Sequence, residues 1–458
     1  MRTEVAVPPG AIQQRSRLAA DLDTTRRTAS LLATATLLLA VAYGGVAQGG
    51  FYPDQQRILF ALVALSGVFA LFAAPDRRAF APVALAVPAG VCAVVTAVVA
   101  HDVAGAAPVL GTLGAAAVAT LVTRSAEREA RETFVSGLLV AGAALGLSGW
   151  AGVAFRWEPL GLVDQGLWRA SSTLTYANAT AALLVPIALV ALARALAEPK
   201  QWRWRLATCA LVVGVAATLS RAGWIALAAG AVVVLWRGPR RRATTVTLPL
   251  FVGAAVATAG VVVVAPATLP GRPALPLATL LIGAALSCVR IRSPRRWLAA
   301  ALVVGLAGLV VGAAFSSSRL TVSSPDRNDE WRASWAVATA HPLAGVGPSN
   351  LHLQWRDATG QTFVAHASHN EFLQLAAEQG FVVLAVALAT FALIGRALAR
   401  RAPPVALAVL LAFLIASAFD FVWHVPLVPI VVAALLGAAL PSGDGIGYGR
   451  PAPTRYGL

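Results

Sequence analysis

The sequence predicts an all-α polytopic membrane protein with about 12–14 transmembrane helices and one long helical loop on the outer side of the membrane. Three observations carry that expectation. Hydrophobic residues make up 58% of the 458 residues and charged ones only 12%, against about 25% charged in a soluble domain. The basic residues bunch between apolar runs on alternate sides. One hydrophilic stretch, residues 317–379, is far longer than any other connection.

Crossing a bilayer takes roughly 20 apolar residues per helix. Fourteen runs qualify, near 29–48, 57–74, 78–100, 104–123, 133–154, 174–194, 206–220, 222–236, 243–265, 274–289, 297–316, 380–395, 403–419 and 425–440. The runs near 206–220 and 222–236 are short enough to be a broken pair, so the count is twelve or fourteen. Residues 1–28 are polar and read as an irregular cytoplasmic tail, 29–440 as one integral membrane domain, and 441–458 as a cytoplasmic tail rich in glycine. Ala40-Val41-Ala42 imitates a signal-peptidase site, but the polar segment before it is too long for an ordinary signal peptide, so the first span is expected to stay uncleaved.

The formal net charge is +16. With the N-terminus inside, the clusters Arg26/Arg27, Arg77/Arg78, Arg124/Arg128/Arg131, Arg194/Lys200/Arg203/Arg205, Arg237/Arg240/Arg241/Arg242, Arg290/Arg292/Arg295/Arg296 and Arg396/Arg400/Arg401 all fall on the cytoplasmic side. That is the positive-inside pattern, and it explains the basic character without nucleic acid. The long loop then lies outside. Cys92, Cys209 and Cys288 sit in separate apolar runs and read as small core residues.

The long loop has helical punctuation. Ser324-Pro325 reads as a cap followed by proline at the first helical position, and the helix should stop before His341-Pro342. Arg327, Trp331 and Trp335 then recur at i, i+4 and i+8, on one face. Gly345 and Gly347 allow a tight turn. Ser368-x-x-Glu371 reads as a capping box that starts a second helix, with Asn370 and Glu371 in its first turn. His369 falls at its first position, where the helix dipole would keep the ring neutral and able to take a proton.

The same helix N-terminus attracts phosphate. Arg169, Arg221 and Arg327 stand on the outer side near span ends or on the loop helix, and guanidinium groups grip a diphosphate without a metal. Arg332 points about 100° off the favoured face and ranks lower. Asp420, Trp423 and His424 lie at another outer lip. Each residue also has a plainer reading: a histidine that hydrogen-bonds its loop, arginines that reach lipid headgroups. His366 and His369 are three apart with Glu371 and Glu378 close by, but no H-E-x-x-H or cysteine pattern accompanies them, so no metal is expected. Nor is there a glycine-rich phosphate loop, so no nucleotide-driven step and no cofactor are expected.

On Ser220-Arg221-x-Gly223-Trp224, Arg327-x-x-x-Trp331, Pro342-Leu343-x-Gly345-Val346-Gly347-Pro348, His369-Asn370-Glu371-x-Leu373-Gln374 with Glu378-x-Gly380, and Arg169 with Tyr176-Ala177-Asn178, the chain resembles the O-antigen ligase and polymerase family of bacterial membrane proteins. The resemblance covers about residues 166–380. It implies a GT-C-like membrane glycosyltransferase of the bacterial cytoplasmic membrane, independent of metal and nucleotide. An undecaprenyl-diphosphate-linked glycan would be the donor, and a glycan or lipid the acceptor, handled on the periplasmic or extracellular face. It further implies His369 as the acceptor-activating base, and Arg169, Arg221 and Arg327 on the diphosphate, with Trp331, Asn370 and Glu371 in the substrate site. The competing class is a transporter of an anion or lipid-linked sugar, which would place ionisable residues deep in the spans; few are found there.

Overall fold

The computed structural model describes residues 9–73, 77–237, 240–290, 325–356 and 360–440. The expected span 297–316, the Ser324 cap, the cluster Arg292/Arg295/Arg296 and the tail from Pro441 lie outside the described residues. The architecture is all-α and polytopic. Its helices are α1 (Pro9–Val46), α2 (Pro53–Phe72), α3 (Ala81–Ala84), α4 (Ala86–Val99), α5 (Ala106–Ser125), α6 (Arg128–Ala154), α7 (Ala177–Ala197), α8 (Trp202–Ala217), α9 (Arg221–Arg237), α10 (Arg240–Val263), α11 (Ala274–Cys288), α12 (Pro325–Ala340), α13 (Glu371–Arg401), α14 (Pro404–Phe419) and α15 (Leu427–Ala439). Among the described residues, seven are long and apolar enough to cross a membrane, counting residues 23–46 of α1. Four shorter ones, α4, α11, α14 and α15, are apolar as well.

Three expectations change. Residues 9–28 are not irregular, because α1 begins at Pro9 and runs unbroken into the first span. The run 78–100 is interrupted, with a 3-10 turn over Arg77–Phe80, then α3, then α4. The run 206–236 does break: α8 and α9 are separate helices, and Leu219 between them has φ 52°.

Helix α7 is apolar all round, and 83% of its spanning window is buried, as befits a central helix. It packs against α6, α8, α9, α14 and α15. The core around it includes Phe134, Leu138, Leu184, Ile187, Leu211 and Leu427. Between α6 and α8 the chains nearly touch: a Cβ on Gly214 would stand 2.6 Å from the Cα of Gly146. Any side chain there would push α8 off α6.

The two ends of α7 differ in chemistry. Its C-terminal end carries Arg194, paired with Glu132 of α6. Its N-terminal end carries Tyr176 and Asn178, the start of the site below. At 1.5 Å per residue these ends are about 30 Å apart, the thickness of a hydrocarbon core.

Two short hairpins add the only strands among the described residues. β1 (Gly161–Asp164) pairs antiparallel with β2 (Leu167–Ala170), and β3 (Leu353–Arg356) with β4 (Thr362–Ala365). The first is pinned beside α10 by Arg156, whose guanidinium donates to the carbonyls of Val264, Pro266 and Leu269 while lying over Trp168. It thereby fixes Arg169 at the bundle end.

Candidate active site at the loop end of the bundle

Five segments meet at the N-terminal end of α7. They are β2, the α8–α9 turn, the N-terminal half of α12, the segment before α13, and the connection between α14 and α15. Arg169 uses its whole fork: Nε donates to the Thr218 carbonyl (2.9 Å), one terminal nitrogen to Asp164 (2.5 Å) and the other to Asn178 Oδ1 (2.8 Å). Asn178 Nδ2 in turn donates to Asp420 Oδ2 (2.5 Å). Tyr176 donates its hydroxyl to both oxygens of Asp420 (2.7 and 2.8 Å) and stacks on Phe421 at 5.1 Å. Burial, and then the charge of Asp420, push the Tyr176 phenol well above its ordinary value, so it stays a donor.

Arg327 approaches Asp420 from α12, 3.6 Å from Oδ2, and donates to the Phe419 carbonyl at 3.0 Å. The buried stripe of α12 is Glu330, Ser334 and Ala338, with Arg327 and Trp331 flanking it. Trp335 was expected to share that face, but it is 55% exposed: an i+8 position is about 80° from the first residue at 100° per step. Trp331 turns its ring to Phe419, 6.5 Å away. Arg332 is exposed and paired with Asp329.

His369 meets this group from the other side. Its Nδ1 is 2.7 Å from Oε1 of Glu330, a carboxylate only 4% exposed. The ring lies edge-on to Phe421 at 5.0 Å and keeps 31% of its side-chain surface open. A carboxylate only accepts, so Nδ1 carries the hydrogen and Nε2 of the neutral ring holds the free lone pair.

The sequence expectation of a helical, dipole-neutralised His369 fails. The cap of α13 is Asn370, whose Oδ1 accepts from the amides of Phe372 and Leu373 (both 3.1 Å), and the helix starts at Glu371. His369 precedes the cap with φ 41°, a left-handed conformation that ends any helix there. Burial disfavours its charged form, but the Glu330 hydrogen bond and the charge of Asp420 outweigh it, so its pKa is raised rather than lowered.

Nor does Glu371 complete a capping box. It is 2% exposed and accepts from the Trp423 amide, while His424 Nδ1 lies 3.4 Å away. Gln374 Nε2 donates to Glu378 (3.0 Å) and lies 3.1 Å from His424 Nε2. Burial opposes a charged His424, yet Glu371 and Glu378 push its pKa up to about 9. The Gln374 amide pulls the other way, because two N–H groups cannot share that contact. The paired carboxylates set the direction.

The loop motif around Gly345 locks this segment in place. Gly380 has φ 84° and interrupts α13, which strips partners from the helical groups beside it. The loop replaces them: Val346 N donates to the Ala377 carbonyl (3.0 Å), Gly347 N to Glu378 (2.8 Å), and Phe381 N to the Pro342 carbonyl (2.8 Å). The fit excludes side chains, since a Cβ on Gly380 would stand 2.3 Å from the Leu343 oxygen and one on Gly345 2.1 Å from the Glu378 carbonyl carbon.

The structure thus brings Arg169, Arg327, Trp331 and His369 to one bundle end, with Asn370 and Glu371 holding the adjoining chain. Arg221 is exposed at the first residue of α9, three residues past the Thr218 carbonyl that Arg169 holds. The sequence reading passed over Glu330, and one signal pointed to it: it lies one turn after Arg327 on the same helix. Among the described residues, no group of three or more His, Cys, Asp or Glu is placed to hold a metal ion.

No curated protein matches the chain. Residues 274–388 match the family model described as O-antigen ligase, a segment that takes in α11, α12 and the kinked start of α13. It contains Arg327, Trp331, Glu330 and His369 but not Arg169 or Arg221. The match takes in 115 of the 458 residues, and it makes that segment of a polytopic all-α chain similar to the O-antigen ligase family.

Proposed function

We propose that the chain transfers a glycan from an undecaprenyl-diphosphate carrier to a hydroxyl acceptor on the outer face of the cytoplasmic membrane, with His369 as general base. The observation that carries the reading is the buried Glu330 holding Nδ1 of His369 at 2.7 Å, one turn along α12 from Arg327. Nε2 of His369 takes the hydroxyl proton, the oxygen forms the new bond to the anomeric carbon, and the bond from that carbon to the diphosphate oxygen breaks. The electron pair leaves with the diphosphate. A single displacement of this kind inverts the anomeric centre.

Asp420 is the other candidate base at this bundle end, but its oxygens already accept from Tyr176, Asn178 and the Phe421 amide. A carboxylate so occupied holds its neighbours rather than a substrate proton. Arg327 keeps donors to spare beyond the Phe419 carbonyl, and with the exposed Arg221 it supplies charge for the departing diphosphate. Arg169, each of whose three nitrogens already donates to the protein, positions Asn178 and the Thr218 turn. Trp331 walls the site against Phe419, and Asn370 and Glu371 fix the backbone that carries His369.

The test is reconstitution of purified protein with lipid-linked donor and acceptor. His369→Ala should abolish product while membrane insertion is unchanged, and full activity in that variant would end the base assignment. Movement of intact donor across the vesicle bilayer, without any product, would instead mark a transporter.

A further inference from the structure

A second feature of the loop lies apart from His369. A cavity of about 350 Å³ sits beside the C-terminal half of α12, within the range of small-ligand pockets, roughly 300–1,000 Å³. Its floor is small and apolar (Ala336, Val337 and Val346), and its polar lining is His341, Asn350 and His352. Its lining holds no Asp, Glu, Lys or Arg. We propose that this cavity is a subsite for a sugar ring of the glycan, remote from the bond being made; this rests on the glycosyl-transfer reading above.

The chemistry of the lining matches a neutral ring with one C–H face and a rim of hydroxyls. His352 Nδ1 is 3.1 Å from the Asn350 carbonyl. A carbonyl only accepts, so Nδ1 holds a hydrogen in that contact, and Nε2 is the ring nitrogen left for a ligand hydroxyl. The Asn350 amide offers both a donor and an acceptor. A diphosphate would find no cation here, whereas Arg327 stands at the other half of the same helix. The uncharged cavity and the Arg327 guanidinium thus occupy opposite halves of α12.

Spacing assigns the ring to a distant part of the substrate. Val337 and His341 follow Glu330 by seven and eleven residues, about 10–16 Å along the helix axis. That is too far for the sugar that reacts at His369. Exposed side chains link the two places: the His352 ring meets His366 edge-on at 4.5 Å, and His366 lies three residues before His369. Remote contacts of this kind raise kcat/KM for substrates long enough to reach them.

The experiment uses the full chain in lipid nanodiscs with donor and acceptor glycans each supplied short or long, in all four combinations. The wild type should favour long partners, and the arm in which length matters names the source, donor or acceptor. His352→Ala and Asn350→Ala should lower kcat/KM about tenfold for the long partner, roughly what one hydrogen bond contributes, and leave the short pair unchanged. Val337→Trp, which fills the cavity, should do the same. Retained turnover of the short pair shows that each variant is folded. Saturation-transfer NMR with free oligosaccharide gives a readout without turnover, and its signal should fall in His352→Ala. Equal loss on short and long substrates, or no loss on either, overturns the subsite. Absence of any transfer by the wild type overturns the glycosyl-transfer reading instead, whatever the NMR shows.

Discussion

On the proposed reading, Glu330, buried on α12, sets the pH range in which His369 can act as a base. The ring removes a proton only when neutral, and its Glu330 partner favours the charged form, so activity should fall as pH drops through a value above the ordinary histidine pKa of about 6.5. Glu330→Gln keeps a hydrogen-bond acceptor and deletes the charge. The acid limb of kcat against pH should then move to lower pH, and a limb that stays put would show that the carboxylate does not tune the ring. Glu330→Ala, with no acceptor for Nδ1, should lose roughly a hundredfold or more in kcat. The arginines of α12 give a matched contrast. Arg327→Ala should raise the donor KM at least tenfold, the effect of a lost charge-assisted pair. Arg332→Ala, which removes an exposed cation paired with Asp329, should leave donor KM within about twofold. Equal effects would dissolve the distinction between the two faces.

Among the elements, the start of α13 and its kink carry most of the site's precision. Asn370→Ala removes a cap worth about 1 kcal/mol and should speed hydrogen exchange at the Phe372 and Leu373 amides, while Asn370→Asp should preserve their protection. Gly380→Ala should free the Pro342–Gly347 turn, seen as new cleavage there in limited proteolysis. How much of this was legible follows from the kind of signal each element leaves. Long apolar runs and clustered arginines marked the spans, because burial in lipid admits few alternatives. The loop helix was legible from Pro325 and the stop at His341-Pro342. The start of α13 was not, because Ser368 and Asn370 both favour caps, and only the left-handed backbone at His369 decides between them. Both hairpins were passed over: four-residue strands such as Leu353–Arg356 give too short an alternation to stand out beside spans. Arg169 and Asp420 were visible as polar residues at span ends, but their meeting through Asn178 is a tertiary fact.

Taken whole, the molecule is a bundle whose two ends divide the chemistry. Arg194 with Glu132, and Arg205 with the carbonyls of Pro199 and Val289, sit at one end; His369, Glu330, Asp420 and the loop sit at the other. From the positive-inside pattern we propose that the loop lies outside. In intact cells, with the three native cysteines replaced by alanine, a cysteine at Gln361 should react with an impermeant maleimide and one at Lys200 should not; the reverse would invert the orientation. The stitching at Gly380 has a mechanical corollary. Because the turn is fastened to the same rod that enters the lipid, the His369 ring has no independent suspension, and its height above the headgroups follows how deeply that rod sits. Acyl-chain length in reconstituted bilayers should therefore act as a dial on turnover, fastest where lipid thickness brings a tethered sugar level with the ring.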